Sequence, residues 1–82
     1  MQVTVYEKDH CQQCVMTKRK LTDVGVEFET ASILDPVNLE LVKGLGHMAA
    51  PVVVAGGEHW SGFRPDKIQE LVKRLEQQEE VS

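Results

Sequence analysis

The segment Pro51-Val-Val-Val-Ala-Gly-Gly57 restricts the fold more than any other part of this chain. Three consecutive valines place branched apolar side chains on both sides of an extended backbone, so this strand needs cover on both faces. Helices packed against a sheet supply that cover. The rest of the chain is patterned to provide it. Gln2–Tyr6 (QVTVY) alternates Val3 and Val5 against Gln2 and Thr4 and reads as a first strand. From about Gln12 to Val24, the residues Cys14, Thr17, Leu21 and Val24 recur at helical spacing on one face. Lys18, Arg19 and Lys20 fall mostly off that face, and Gly25 is placed to stop the helix. Val26–Ala31 alternates Val26, Phe28 and Thr30 against Glu27, Glu29 and Ala31 and reads as a second strand.

Asp35-Pro36 predicts a capped helix start, with Val37, Leu41 and Leu45 as the expected apolar stripe and Gly46 as the stop. Gly56-Gly57 predicts a hairpin into a short return strand, Glu58–Ser61. Pro65 opens a last helix with Asp66 in its first turn and Ile68, Leu71, Val72 and Leu75 as its core face. The polar tail from about residue 77 is expected to be flexible. The order β-α-β-α-β-β-α over residues 1–82 predicts one α/β domain: a four-stranded mixed sheet flanked by helices.

The net charge of −4 argues against a nucleic-acid partner. No stretch approaches the roughly 20 apolar residues that span a bilayer, and MQVTVYEK lacks the apolar run of a signal peptide. A cytoplasmic monomer with no membrane partner is the expectation.

Only two cysteines occur, Cys11 and Cys14 in DHCQQC. A bridge between them closes too short a ring to stabilise the fold much. At positions i and i+3 of a helix start, their Cα atoms fall about 5–6 Å apart, within disulfide range. Cys11 lies at or just before the helix N-terminus. There, unpaired N–H groups and the dipole favour a thiolate. Lys8 adds to this, while Glu7 and Asp9 oppose it where they point inward. Cys14 lies one turn in, on the core face, and is expected to be less exposed and less acidic. That asymmetry suits a dithiol couple in which one cysteine attacks and the other resolves. A metal or cluster site is the competing reading. It needs further ligands, and His10, His47 and His59 lack the usual zinc spacing. Two inert core cysteines is the plainest alternative.

YEKDHCQQC, then Thr17 and Leu21, then APVVVAGGEHWSGFRPDKI resemble the thioredoxin superfamily, and within it the NrdH-type redoxins, over nearly the whole chain. CxxC alone is widespread; CxQC, APVV and WSGFRP at these intervals are far more specific. The resemblance implies a thioredoxin fold and a thiol–disulfide oxidoreductase with no bound cofactor. It implies that thioredoxin reductase and NADPH recharge the protein, and that the large subunit of class Ib ribonucleotide reductase accepts its electrons. Cys11 is then the attacking cysteine and Cys14 the resolving one. Pro51 matches the proline that adopts a cis peptide and faces the CxxC, leaving the backbone of Ala50 beside Cys11 for a partner segment. Lys8, Gln12, Gln13, Trp60, Ser61, Gly62, Phe63 and Arg64 complete the expected partner surface.

Glutathione-dependent glutaredoxins are the near alternative. They usually carry Pro-Tyr between the cysteines and a Gly-Gly…Asp segment that holds glutathione. Here those positions read Gln12-Gln13 and Ser61-Gly62, although Lys8 and Asp66 remain available to a small peptide. Two residues depart from the NrdH pattern: Gln12 makes the exposed rim more polar, and Asp9, with His10, is expected to alter the thiol pKa and its pH dependence. Several residues have two readings. Trp60 serves a surface beside the site or fills the core. Arg64 meets a partner or makes a surface ion pair. Lys18-Arg19-Lys20 steers a partner or is a solvated face. His47 and His59 read as surface residues rather than ligands. Met16 and Met48 read as packing residues, Met48 with a possible place in the docking groove. Thr17 packs or bonds back to its helix.

Overall fold

A computed structural model of the chain describes residues 2–81, and of residues 77–81 the backbone alone. Its elements are β1 (Val3–Glu7), α1 (Gln12–Asp23), β2 (Glu29–Ser32), α2 (Pro36–Gly44), β3 (Val52–Ala55), β4 (Glu58–Ser61) and α3 (Pro65–Val81). The strands form one sheet in the order β2-β1-β3-β4. β1 runs parallel to β2, with Thr4 opposite Glu29, and antiparallel to β3, with Val5 opposite Val53. β3 and β4 form an antiparallel hairpin in which Val53 lies opposite Trp60. This is the expected four-stranded mixed sheet. The expectation about a flexible tail concerns side chains outside the described residues.

The valine run divides between two layers. Val53 joins Val3, Val5, Ala55 and Trp60 on one face, under Leu21 of α1 and Ile68 and Leu71 of α3. Val52 joins Tyr6 on the other face, packed with Ile33, which follows β2, and Val42 of α2. Each fully buried Leu, Ile or Val contributes roughly 1.5–3 kcal/mol relative to exposure. Gly25 (φ 79°) and Gly46 (φ 91°) take the left-handed conformation just past α1 and α2, where a side chain would be strained.

Two expectations are corrected. The second strand is Glu29–Ser32, not Val26–Ala31. Val26 and Phe28 do face the α1/α3 layer, but as an approach segment; ladder pairing with β1 starts only at Glu29. The apolar stripe of α2 is also different. Val37 is 75% and Leu41 46% exposed, whereas Val42 is fully buried. The Asp35 carboxylate accepts from the Val37 N–H at 2.9 Å, and the Asn38 amide donates to the Ser32 carbonyl at 3.0 Å. The helix is turned so that Asn38, Val42 and Leu45 lie toward the sheet, with Val42 fully buried, and Val37 and Leu41 lie away from it.

Candidate active site

β1 ends at Glu7, and a turn through Asp9 and His10 carries the chain into α1. His10 sits at φ 56°, a left-handed position that His tolerates better than most residues. This turn makes Cys11 the N-cap of α1, in an extended conformation. Its Sγ accepts a hydrogen bond from the Cys14 N–H at 3.1 Å. Cys11 and Cys14 are joined as a disulfide, with Cα atoms 5.2 Å apart. Cys11 is partly exposed, while Cys14 is 1% exposed. Beneath Cys14, Thr17 is fully buried, and its hydroxyl has no hydrogen-bond partner among the described residues, so it packs rather than bonds back.

The ladder register brings three loops to the same end of the sheet. Tyr6 lies opposite Val52, and Val52 opposite Ser61, so the exit of β1, the entry of β3 and the exit of β4 are neighbours. The Ala50-Pro51 peptide is cis, as the resemblance implied. Three hydrogen bonds tie the loops together. The Ser61 hydroxyl donates to the Ala49 carbonyl at 2.9 Å, and the Gly62 N–H to the Pro51 carbonyl at 2.8 Å. The Phe63 N–H donates to Oε1 of Gln13 at 3.3 Å. Gly62 has φ 85°, and a Cβ there would also meet Gln13 Oε1 at 3.4 Å. Only glycine fits that crossing comfortably.

The expected partner residues separate accordingly. Cys11, Gln12, Gln13, Ala50, Pro51, Ser61, Gly62 and Phe63 lie in the segments that meet around the disulfide. Pro51 is buried and Gln12 exposed. Lys8 is exposed in the link between β1 and α1. Arg64 donates to both carboxylate oxygens of Asp66, at 3.1 and 2.9 Å, which holds the Asp66 carboxyl below its ordinary pKa. Both side chains are exposed, so the pair contributes little to stability. Trp60 is a correction to the expected surface. It is 3% exposed and packs in the α1/α3 layer, because its position opposite Val53 turns its ring inward. Lys18 is not a free cation, since it pairs with Glu7 of β1.

Two arrangements could not be read from the sequence. One is the Gln13–Phe63 bond, between residues 50 positions apart. The other is a direct contact of His47 Nε2 with His59 Nδ1 at 2.7 Å. Among the described residues, no group of three or more His, Cys, Asp or Glu side chains is placed to hold a metal ion. Nor is any described helix long and apolar enough to cross a membrane.

The chemistry of this end of the sheet is that of a dithiol. One sulfur is accessible at a helix N-cap, a second lies beneath it within bonding distance, and a knitted loop platform stands beside them. Comparison with known proteins agrees. The glutaredoxin family profile matches residues 3–60. The glutaredoxin-like protein NrdH of Salmonella typhimurium is 42% identical over 72 residues, covering 87% of this chain and 89% of that one. The glutaredoxin-like protein NrdH of Lactococcus lactis is 39% identical over 70 residues, covering 84% and 97%. The solved structure of the NrdH-redoxin from Escherichia coli, a glutaredoxin-like protein with a thioredoxin-like activity profile, superposes with a TM-score of 0.82. It is 40% identical and covers 87% of this chain and 95% of that one. The chain therefore belongs to the glutaredoxin family, as an NrdH-type redoxin with the thioredoxin-like fold, and is a thiol–disulfide oxidoreductase.

Proposed function

From that membership we propose that the protein carries electrons from thioredoxin reductase and NADPH to the large subunit of class Ib ribonucleotide reductase, in the cytoplasm and without a bound cofactor. The observation that carries this reading is the asymmetry of the cysteine pair. The Cys14 N–H aims at Cys11 Sγ, a donor that favours the thiolate once the bridge is reduced. The Cys11 thiolate attacks one sulfur of the partner's disulfide. That S–S bond breaks, a mixed disulfide forms, and the partner's other sulfur leaves as a thiolate. Cys14, covered by the fold, then attacks Cys11 Sγ. The partner's second thiolate is released, and the Cys11–Cys14 disulfide remains. Two electrons have moved to the partner. The reductase returns them by the reverse chemistry.

The partner's chain lies along the backbone at Ala50, with Gln12, Ser61, Gly62 and Phe63 as the walls of its groove. Several observations weigh against a glutathione-linked role. The Ser61 hydroxyl and the N–H groups of Gly62 and Phe63 are already engaged within the protein. Asp66, which the sequence leaves available to a small peptide, is paired with Arg64.

The test is reduction of the oxidised protein by two systems side by side: NADPH with thioredoxin reductase, and glutathione with NADPH and glutathione reductase. Fast reduction by the first alone, followed by support of ribonucleotide reductase turnover, is expected. Fast reduction by glutathione alone would make the protein a glutathione-linked glutaredoxin. Cys14→Ser is expected to attack its partner and stall. A trapped mixed disulfide should appear on non-reducing gels, and turnover on protein disulfides should fall by orders of magnitude. Wild-type turnover by this variant would overturn the dithiol scheme.

A further inference from the structure

On the α2 side of the sheet, His47 Nε2 and His59 Nδ1 lie 2.7 Å apart, with ring centroids at 4.9 Å and planes inclined by 78°. His59 belongs to β4, opposite Val54 of β3. His47 belongs to the loop between α2 and β3, and its N–H donates to the Val42 carbonyl at 3.1 Å. Beyond His47 the loop continues through Met48, 85% exposed, to Ala49, Ala50 and Pro51. Among the described residues, two side-chain bonds tie residues 47–50 to β4: the imidazole contact and the Ser61–Ala49 bond.

An N···N separation of 2.7 Å is a hydrogen bond only while one ring donates and the other offers a lone pair. At least one imidazole must therefore be neutral. When both are protonated, each nitrogen carries a hydrogen and each ring a charge, and the contact must open. Partial burial and the neighbouring His59 both push the His47 pKa down, which favours the neutral form. The charged groups nearby do not compensate a second proton. Lys43, in the last turn of α2, is itself a cation. Glu58 of β4 is held by Arg74 of α3 at 2.8 Å. Lys67 of α3 lines a hollow with Glu58 and His59 and lies 3.9 Å from Glu70. From β3, the residue opposite His59 is the apolar Val54. Neither imidazole has a carboxylate partner among the described residues.

We propose that the His47–His59 contact is a proton-operated latch that positions residues 47–50 for protein partners, closed near neutral pH and open once both rings are charged. The two histidines are positioning residues; neither touches the reacting sulfurs. The proposal rests on the reading of Ala50 as the place where a partner's chain lies. Opening the latch frees the loop and slows attack on protein disulfides. It leaves attack on small disulfides to follow the Cys11 thiolate fraction alone.

The experiment has two readouts on the full chain. The first is an NMR titration of the imidazole nitrogens and the amides of residues 47–50 from about pH 8 to about pH 5, a window that spans histidine titration. The second is the ratio of the reduction rate on a protein disulfide to that on a small aromatic disulfide over the same range, in which the thiolate fraction cancels. In the wild type, the loop amides are expected to shift with the imidazoles, and the ratio to fall about threefold or more as histidine charges. His59→Ala should show the low ratio at every pH. His59→Asn, which keeps an acceptor near Nδ1 but does not titrate, should hold the high ratio to a lower pH. Loop amides indifferent to imidazole titration would overturn the latch, as would a ratio that falls with pH in the wild type and falls identically in His59→Ala. Loop amides that follow the imidazoles while the ratio stays flat would uphold the latch and overturn the docking reading instead.

Discussion

The two faces of the sheet are built to different depths. Under α1 and α3, nine buried residues form one continuous layer, with Phe63, Val72 and Leu75 packed at its margin. Under α2, four buried residues do the same work: Tyr6, Ile33, Val42 and Val52. The thick face seats Cys14 and carries the helix whose end presents Cys11. The thin face carries the short helix that feeds the loop to Pro51. The difference in depth puts the helix that carries Cys14 on the deeper layer and the helix that leads to Pro51 on the shallower one.

That contrast can be broken by mutation, and the largest effect is expected on the thick face. Leu21→Ala removes a fully buried side chain at the centre of that layer and should cost about 2–5 kcal/mol, measured by denaturant unfolding. Val42→Ala deletes less volume from the thin face and should cost about 2 kcal/mol. Equal costs per carbon removed would mean that the two layers do not differ in depth. Asp35→Ala removes the N-cap of α2 and should cost about 1 kcal/mol. A loss larger than that of Val42→Ala would show that α2 depends more on its cap than on Val42. Val37→Ser changes a residue that faces water and should stay within about 0.5 kcal/mol of wild type. A loss as large as that of Val42→Ala would restore the stripe that the sequence suggests.

Where the sequence is legible, strong local signals coincide. The Asp35-Pro36 start, the Gly25 and Gly46 stops, the Gly56-Gly57 turn and the triple valine each have one physical meaning, and the structure contains all of them. The cysteine pair is legible for the same reason: a helix start fixes the distance between positions i and i+3. The second strand is not. β2 is an edge strand of four residues with no buried side chain, so burial leaves no period to read. Its approach segment, with Val26 and Phe28, carries the alternation instead. The stripe of α2 fails because its leucines and valines are spread around the helix, so more than one face is apolar and only the packed sheet selects Val42. Trp60 is decided by ladder register, and the His47–His59 and Gln13–Phe63 contacts by loop closure. Those are properties of the assembled sheet rather than of any short stretch of chain.

The knotting of Gln13 to Phe63, and of Pro51 to Gly62, bears on how the protein comes into being. Synthesis runs from the N-terminus, so the strand, turn and helix that hold both cysteines emerge first. Of the groove residues, Ser61, Gly62 and Phe63 come last in chain order, at and beyond the end of β4. A truncated chain that stops short of the hairpin keeps both cysteines, Gln13 and Pro51, but has neither Phe63 nor Gly62 to bond to them. Such a fragment holds the redox pair without the bonds that fix the groove around it.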